Sequence, residues 1–167
     1  GFKLTSDWKT DSTQRSTLGR VGHGSSGLIA NCVFTCSSSI WKSPFACFNG
    51  TLVVSNCVFR NSHVSNGGNS RYAVYCSAQG VKILNCEFSD VSLPGAYGIG
   101  TSTGGGVIVE NCLFHGCEHA NKASDTPGGA LNGYGYYRNC TVVSNRTVRA
   151  DYWSPVCDEK PLEIVNC

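Results

Sequence analysis

The chain has 167 residues, with 13 Lys or Arg, 11 Asp or Glu and a formal net charge of +2. This length suits one domain, and so small a charge excess predicts neither nucleic acid nor an anionic membrane as a partner. No apolar run approaches the roughly 20 residues of a spanning helix, so we expect no membrane insertion of this segment. Eleven Cys predict an oxidising, extracellular or cell-surface location.

The chain begins with a polar segment. Hydroxyl side chains crowd residues 5–17, where apolar residues are few: Thr5, Ser6, Thr10, Ser12, Thr13, Ser16 and Thr17. We interpret residues 3–26 as a long surface insertion, which could carry O-linked glycans or touch a neighbouring fibre.

From residue 27 to residue 167 the sequence repeats. The dipeptide Asn-Cys recurs six times, at Asn31-Cys32, Asn56-Cys57, Asn85-Cys86, Asn111-Cys112, Asn139-Cys140 and Asn166-Cys167. The intervals between successive Cys are 25, 29, 26, 28 and 27 residues. A period of this length is typical of solenoids, propellers and arrays.

Apolar side chains alternate on both sides of each dipeptide. Leu52 and Val54 lie five and three residues before Cys57, and Phe59 lies two residues after it. The same position after the Cys holds Phe34, Phe88 and Phe114 in three other copies. Period-two alternation predicts strands with one buried face. The Asn shifts the phase by one residue, which predicts a bend with Asn in the left-handed conformation.

A second apolar patch and a Gly-rich turn complete each period, as in Gly67-Gly68 before residues 72–76 and Gly128-Gly129 before Ala130-Leu131. Helical periodicity is absent over any useful length. Two or three short strands per 25–29 residues predict an all-β fold in which each copy forms one coil of a parallel β-solenoid.

An Asn stack at a bend with apolar ladders inside resembles the right-handed parallel β-helix superfamily. Phrases such as NCVFRNS, NCLFHGC and GGALNGYGYYRNCTVVSNR resemble the Gly-Gly/Asn-Cys repeats of large bacterial surface proteins, including polymorphic outer-membrane proteins and autotransporter passenger domains. The resemblance covers about residues 27–167 and implies a right-handed β-helix of about six coils of 25–32 residues. It implies little about function, because this fold serves lyases, adhesins and inert stalks alike.

The cysteines suggest ladders. Six occupy the Asn-Cys position, and a second partial ladder is predicted about ten residues upstream at Cys47, Cys76 and Cys157, which leaves Cys36 and Cys117. Strands about 4.8 Å apart place equivalent Cα atoms within disulfide range, so ladder Cys could pair between coils or stay reduced in the core. Local links from Cys32 to Cys36 and from Cys112 to Cys117 are alternatives. Because the total is odd, at least one Cys is free or joins another unit.

We predict no catalytic residue, no cofactor and no metal site. Cys112, His115, Cys117 and His119 are close in sequence, but their spacing matches no standard zinc site and Cys112 is expected to face the core. The acidic residues form no column of paired carboxylates from coil to coil, which polysaccharide cleavage on such a fold would need.

Three Asn-X-Thr sequons begin at Asn49, Asn139 and Asn145. Because Asn139 belongs to the bend stack, we expect it to be occluded, which leaves Asn49 and Asn145 as candidate acceptors of N-linked glycans.

The two ends of the sequence fit each other. Placing Gly1-Phe2 after Cys167 puts Phe2 two residues beyond a ladder Cys, where other copies have Phe. The wrapped interval from Cys167 to Cys32 is 32 residues, and the six intervals together equal 167. We therefore expect residues 1–167 to be one unit of a longer array, with an inter-unit junction formed by Gly1, Phe2, Ile164 and Cys167. Peptide-linked units, stacked subunits and an excised fragment remain alternatives.

These features favour a structural role: the repeat unit of an extracellular or cell-surface fibre, joined head to tail, disulfide-stabilised and glycosylated, with copies of itself and glycans as partners. A second hypothesis is an adhesin that displays loops 5–26, 36–46 and 118–127. A polysaccharide-active β-helix enzyme is the third.

Overall fold

The computed structural model describes residues 3–6, 19–21, 26–36, 46–48, 51–63, 74–76, 80–92, 99–101, 107–119, 131–132, 135–147, 157–158 and 163–167. These residues form β-strands and the bends between them, and this part of the chain contains no helix. The prediction of an all-β fold is confirmed for the described residues.

Three parallel sheets contain most of the strands. Sheet A consists of β1 (Lys3–Ser6), β4 (Val33–Cys36), β7 (Val58–His63), β10 (Glu87–Ser92), β13 (Leu113–His115) and β17 (Thr141–Val143). Sheet B consists of β2 (Gly19–Val21), β5 (Ala46–Phe48), β8 (Val74–Cys76), β11 (Ile99–Thr101), β15 (Leu131–Asn132) and β19 (Cys157–Asp158). Sheet C consists of β3 (Ser26–Ala30), β6 (Thr51–Ser55), β9 (Lys82–Leu84), β12 (Val107–Glu110), β16 (Gly135–Arg138) and β20 (Glu163–Val165).

The chain enters the three sheets in turn, so β1, β2 and β3 begin sheets A, B and C, and β4 returns to sheet A beside β1. A fourth, two-stranded parallel sheet joins β14 (Glu118–His119) to β18 (Arg146–Thr147). Strands β1 and β2 lie within residues 3–26, the predicted surface insertion, so two parts of that segment pair with the repeats.

Equivalent positions of successive copies are in register. In sheet A, Phe34 pairs with Phe59, Phe59 with Phe88, and Phe88 with Phe114. Their rings stack with centroids 4.6 to 4.8 Å apart and planes within 10° of parallel. Each ring is at most 1% exposed. Burial of one such side chain contributes about 1.5–3 kcal/mol, so this column is a main source of stability.

A column of sheet C faces the same core. Val54, Ile83, Val109 and Tyr137 are fully buried, and Leu131 of sheet B belongs to the same cluster. Tyr137 stands in register with Val109 but is larger. Room for it comes from Gly135, where an added Cβ would lie 3.0 Å from the Tyr137 ring. A glycine two residues before the tyrosine therefore compensates for the extra volume.

Candidate functional site

The six Asn-Cys dipeptides lie at the bend between sheets C and A. Each Asn has a left-handed backbone, with φ between 51° and 55°. The Asn backbone N–H donates to a carbonyl of the next copy, as from Asn31 to Ser55 at 3.1 Å and from Asn139 to Val165 at 2.9 Å. Asn tolerates this conformation better than other residues with a Cβ, which accounts for the residue type at every copy.

The Asn side chains are on the surface. All six are exposed, so the expectation that the stack occludes Asn139 is wrong. The bend turns each Asn outward while the Cys after it points inward. Oδ1 of Asn139 accepts a hydrogen bond from Nδ2 of Asn166 at 3.2 Å.

The six Cys form an internal column of thiols. Five are buried, with exposures from 1% to 8%: Cys32, Cys57, Cys86, Cys112 and Cys140. Cys167, beside β20, is exposed. Each Sγ donates to the carbonyl two residues before it at 3.3 to 3.4 Å. From Cys57 onward, each also lies 3.6 to 3.8 Å from a carbonyl of the preceding copy.

The thiols also accept hydrogen bonds. The backbone N–H of Cys86 donates to Sγ of Cys112 at 3.4 Å, and that of Cys140 donates to Sγ of Cys167 at the same distance. A bend interrupts the carbonyl ladder, and a buried N–H without an acceptor would be costly. Contacts with the thiols of Cys140 and Cys86, together with burial, raise the pKa of Cys112. We therefore interpret the Cys112 thiol as a neutral hydrogen-bonding group of the core.

For seven cysteines, the structure shows whether the thiol is free or paired in a disulfide. Cys32, Cys57, Cys86, Cys112, Cys117, Cys140 and Cys167 are all free thiols. The side chains of Cys36, Cys47, Cys76 and Cys157 lie outside the described residues. Their backbones are in register with Ser6, Tyr75, Phe48 and Leu131, respectively. Cys47, Cys76 and Cys157 thus occupy three different register positions of sheet B rather than one partial ladder, because unequal copy lengths shift the strands.

A second left-handed bend, which was not predicted from the sequence, lies within β10 and directly after β13 and β17 of sheet A. Asp90, Gly116 and Ser144 have φ of 50°, 62° and 55° and come directly after residues that pair in register. Cys117 follows Gly116, is 8% exposed, and places its Sγ 3.6 Å from the carbonyls of His115 and Phe88. The repetition of a bend residue and a Cys, Asn111-Cys112 and then Gly116-Cys117, was the available signal.

Asn145 occupies the position of Cys117 in the next copy. Its Oδ1 accepts the Cys117 backbone N–H at 2.8 Å, and its Nδ2 donates to the Phe114 carbonyl at 3.0 Å. Both polar atoms of this carboxamide therefore form hydrogen bonds with backbone groups at the second bend. The other predicted acceptor, Asn49, lies outside the described residues.

The side chains of Cys112, His115 and Cys117, which are close in sequence, do not converge. Cys112 and Cys117 are buried, whereas Nε2 of His115 bonds to Oε1 of Glu87 at 3.1 Å on the outer face of sheet A. The side chain of His119 is not among those described. In the described part of the chain, no group of three or more His, Cys, Asp or Glu is placed to hold a metal ion.

Ionic groups lie on the outer faces of the sheets. Arg138 of β16 bonds to Glu110 of β12 at 3.3 Å and to Glu163 of β20 at 3.0 Å. The hydrogen bond from His115, with a further one from Ser89, lowers the pKa of Glu87. These contacts join neighbouring strands.

The structure describes two of the four predicted junction residues, Ile164 and Cys167. Gly1 and Phe2 lie outside the described residues, and β1 pairs with β4 so that Leu4 is opposite Phe34. Ile164 on β20 is 41% exposed, although Val54, Ile83, Val109 and Tyr137, its counterparts in four other copies, are fully buried.

Comparison with protein-family models, curated proteins and solved structures gives no match for this chain. Within the described ranges there is no helix of the length and apolarity that crossing a membrane would require.

Proposed function

We propose that the chain is a right-handed parallel β-helix that serves as the repeat unit of an extracellular or cell-surface fibre, joined head to tail. One observation carries the proposal. Among the described residues, the exposed large apolar side chains lie on the first or last strand of a sheet: Leu28, Val143, Ile164 and Val165.

The rotation of the chain through three parallel sheets supports the β-helix. Strands β1 to β3 and each following set add one strand to sheets A, B and C in the same order. One core cluster includes side chains from all three sheets. Connections between parallel strands of one sheet are right-handed in about 98% of cases, which supports the proposed hand.

The open edges support the head-to-tail contact. Unpaired strand edges with apolar side chains favour pairing with a further strand. Ile164 lies on the core face of β20, one open edge of sheet C, whereas Val165 and Leu28 lie on the outer faces of β20 and of β3, the other open edge, in register with Arg138 and Val53. The two edges face opposite ways along the sheet, so one copy can add its β3 to the β20 of another without closing a ring.

The register of such a contact follows from the repeat. Val54 pairs with Ile29, and Ile164 pairs with Tyr137, so Ile164 would lie beside Ile29 of the next copy. Asn166 and Cys167 would then lie beside Asn31 and Cys32, and both columns would continue across the junction. The Asn166 backbone N–H would donate to the Ala30 carbonyl, as Asn31 donates to Ser55 within the chain.

Peptide-linked and stacked units differ in the register of β1. A peptide bond from Cys167 to Gly1 would put Phe2 two residues after a column Cys, at the Phe34 register. The structure has Leu4 at that register, two residues further along. Peptide-linked units therefore require β1 to slide by two residues. Such a slide keeps the same side chains on each face, because side chains alternate with period two.

The adhesin hypothesis depends on loops 5–26, 36–46 and 118–127, most of whose residues lie outside the described ones, and it remains a second prediction. For the enzyme hypothesis, the described Glu87, Glu110 and Glu163 contact His115 or Arg138 on the outer faces.

The test compares two substitutions of equal charge. Ile164→Asp places a carboxylate on the proposed junction, where burial against a second copy would be unfavourable. Ser55→Asp places one on the outer face of β6, an inner strand of sheet C. Sedimentation velocity over a range of concentrations and electron microscopy would follow the assembly of the 167-residue protein and both variants.

We expect the parent protein and Ser55→Asp to form linear assemblies, and Ile164→Asp to stay at the mass of one chain, 17.8 kDa. Unchanged circular dichroism would show that Ile164→Asp is still folded. A parent protein that stays monomeric at all concentrations, or an Ile164→Asp variant that assembles like the parent, would contradict the proposal.

A further inference from the structure

Two of the three sequons lie at bends that the structure describes. The Asn side chains at these two bends differ in their exposure to solvent. Asn139 is exposed, and Thr141, which completes its sequon, is exposed as well. Asn145 is half-buried and lies on the inner side of the second bend. The folded chain therefore presents one sequon to solvent and uses the Asn of the other as an internal group.

Asn145 is unsuited to carry a glycan. Its Nδ2 donates to the Phe114 carbonyl at 3.0 Å, and its Oδ1 accepts from the Cys117 N–H at 2.8 Å. A sugar on Nδ2 would have to leave through the bend, and the carboxamide would have to give up one or both hydrogen bonds. Leaving two half-buried backbone groups without partners would destabilise the fold.

Asn139 can carry a glycan without such a loss. Its Oδ1 faces Asn166, whose Nδ2 donates to it at 3.2 Å, so its own Nδ2 lies on the other edge of the carboxamide. The backbone N–H of Asn139 is already bonded to Val165. A glycan on Nδ2 would project from the exposed bend between β16 and β17.

We propose that Asn139, and not Asn145, is an acceptor of an N-linked glycan. The inference depends on the proposed function only for the extracellular route that brings the chain to a glycosyltransferase. In the reaction, Nδ2 forms a bond to C1 of an oligosaccharide and loses one proton. The bond from C1 to the pyrophosphate oxygen of a polyprenyl-linked donor breaks, and the lipid pyrophosphate leaves. The glycosylated amide keeps one N–H for hydrogen bonding.

The test removes sequons without changing any Asn. The 167-residue chain would be secreted from a eukaryotic host that performs N-glycosylation, with Thr51→Val present throughout to inactivate the Asn49 sequon. Thr141→Val and Thr147→Val would then be added separately, which removes the Asn139 and Asn145 sequons in turn. Both replacements are β-branched residues in strands, β17 and β18. Thr141→Ser is the rescue control, because Ser keeps the sequon.

The readout is the electrophoretic shift that peptide-N-glycosidase removes. We expect this shift in the Thr51→Val chain, in its Thr147→Val derivative and in its Thr141→Ser derivative, and its complete loss in the Thr141→Val derivative. A shift that persists in the Thr141→Val derivative, or no shift in the Thr51→Val chain, would overturn the proposal. Sedimentation of the same samples reports head-to-tail assembly separately, so failure of one proposal is distinguishable from failure of the other.

Discussion

At the scale of single residues, Asn and Cys have different roles at the first bend. Asn supplies the left-handed backbone, which costs most other residues with a Cβ about 1–2 kcal/mol. Cys supplies a small apolar side chain whose Sγ both donates and accepts weak hydrogen bonds. At the first bend the pair therefore turns the chain and provides partners for polar backbone groups that the turn removes from the strand ladder.

Replacing a column thiol should cost more inside the column than at its first position. Sγ of Cys112 accepts the Cys86 N–H and contacts the carbonyls of Glu110 and Ile83. Cys112→Ala leaves that buried N–H without an acceptor, so we expect a loss of about 1–3 kcal/mol in the free energy of unfolding, measured with urea. Cys32→Ala is the matched control and should cost less. Cys32 belongs to the first copy, and its Sγ bonds to the Ala30 carbonyl.

Equal losses in the two variants would show that the thiols act only as apolar filler. In that case, the hydrogen bond from the Cys86 N–H to Sγ of Cys112 contributes nothing to the free energy of unfolding.

The first bend could be predicted from residue types at every copy, whereas the second had such a signal at one copy only, Gly116-Cys117. Asn recurs at every copy of the first bend, so identity and spacing both signal it. Asp90, Gly116 and Ser144 share only a backbone conformation, and no single residue type marks their column. The role of Asn145 was hidden for the same reason, because a carboxamide there replaces the thiol of Cys117.

At the scale of strands, cross-strand polar contacts supplement the apolar columns. Glu87 of β10 and His115 of β13 are joined at 3.1 Å, with side chains 40% and 39% exposed. A pair this exposed contributes about 0.2–1 kcal/mol, because water screens it. Its hydrogen bonds hold the pKa of Glu87 below the ordinary value of 4.5.

The contribution of Glu87 should disappear in acid. A carboxyl whose pKa is lowered by folding stabilises the fold above its unfolded pKa and loses that effect as pH falls through the folded pKa. We therefore expect Glu87→Gln to be less stable than the parent at pH 7, and we expect the difference to shrink as the pH falls below 4.5. Urea unfolding at a series of pH values measures both. A difference that stays constant with pH would mean that ionisation of Glu87 is not its source.

Strands around Asn-Cys were easier to predict than the strands of sheet B. The pairs β6 with β7 and β12 with β13 flank a fixed dipeptide, so their phase and register follow from the alternation. Strands of sheet B lie in the part of each copy where length varies between copies. Cys47 is therefore opposite Tyr75, and Cys76 is opposite Phe48.

At the scale of the whole molecule, the thiol column predicts a gradient of chemical reactivity. Cys167 is exposed, whereas Cys57, Cys86, Cys112 and Cys140 are at most 3% exposed. In dilute native protein, iodoacetamide should modify Cys167 well before these four, and peptide mass mapping would give each rate. In urea the five rates should converge.

Peptides cross-linked by a disulfide between neighbouring column cysteines would contradict this expectation. They would instead support the alternative in which the ladder is oxidised.

The parallel pairing also has a mechanical consequence. Within each sheet, hydrogen bonds point from strand to strand, from β1 towards β17 in sheet A and from β3 towards β20 in sheet C. A force that separates the two ends of the sheets therefore loads successive strand pairs in series, and the end strands are held on one side only. Stretching should peel the molecule one copy at a time. Each step would release 25–29 residues of chain, roughly 80–100 Å at about 3.3–3.6 Å per residue. The extension of the molecule would therefore increase in discrete steps, one for each copy that unfolds.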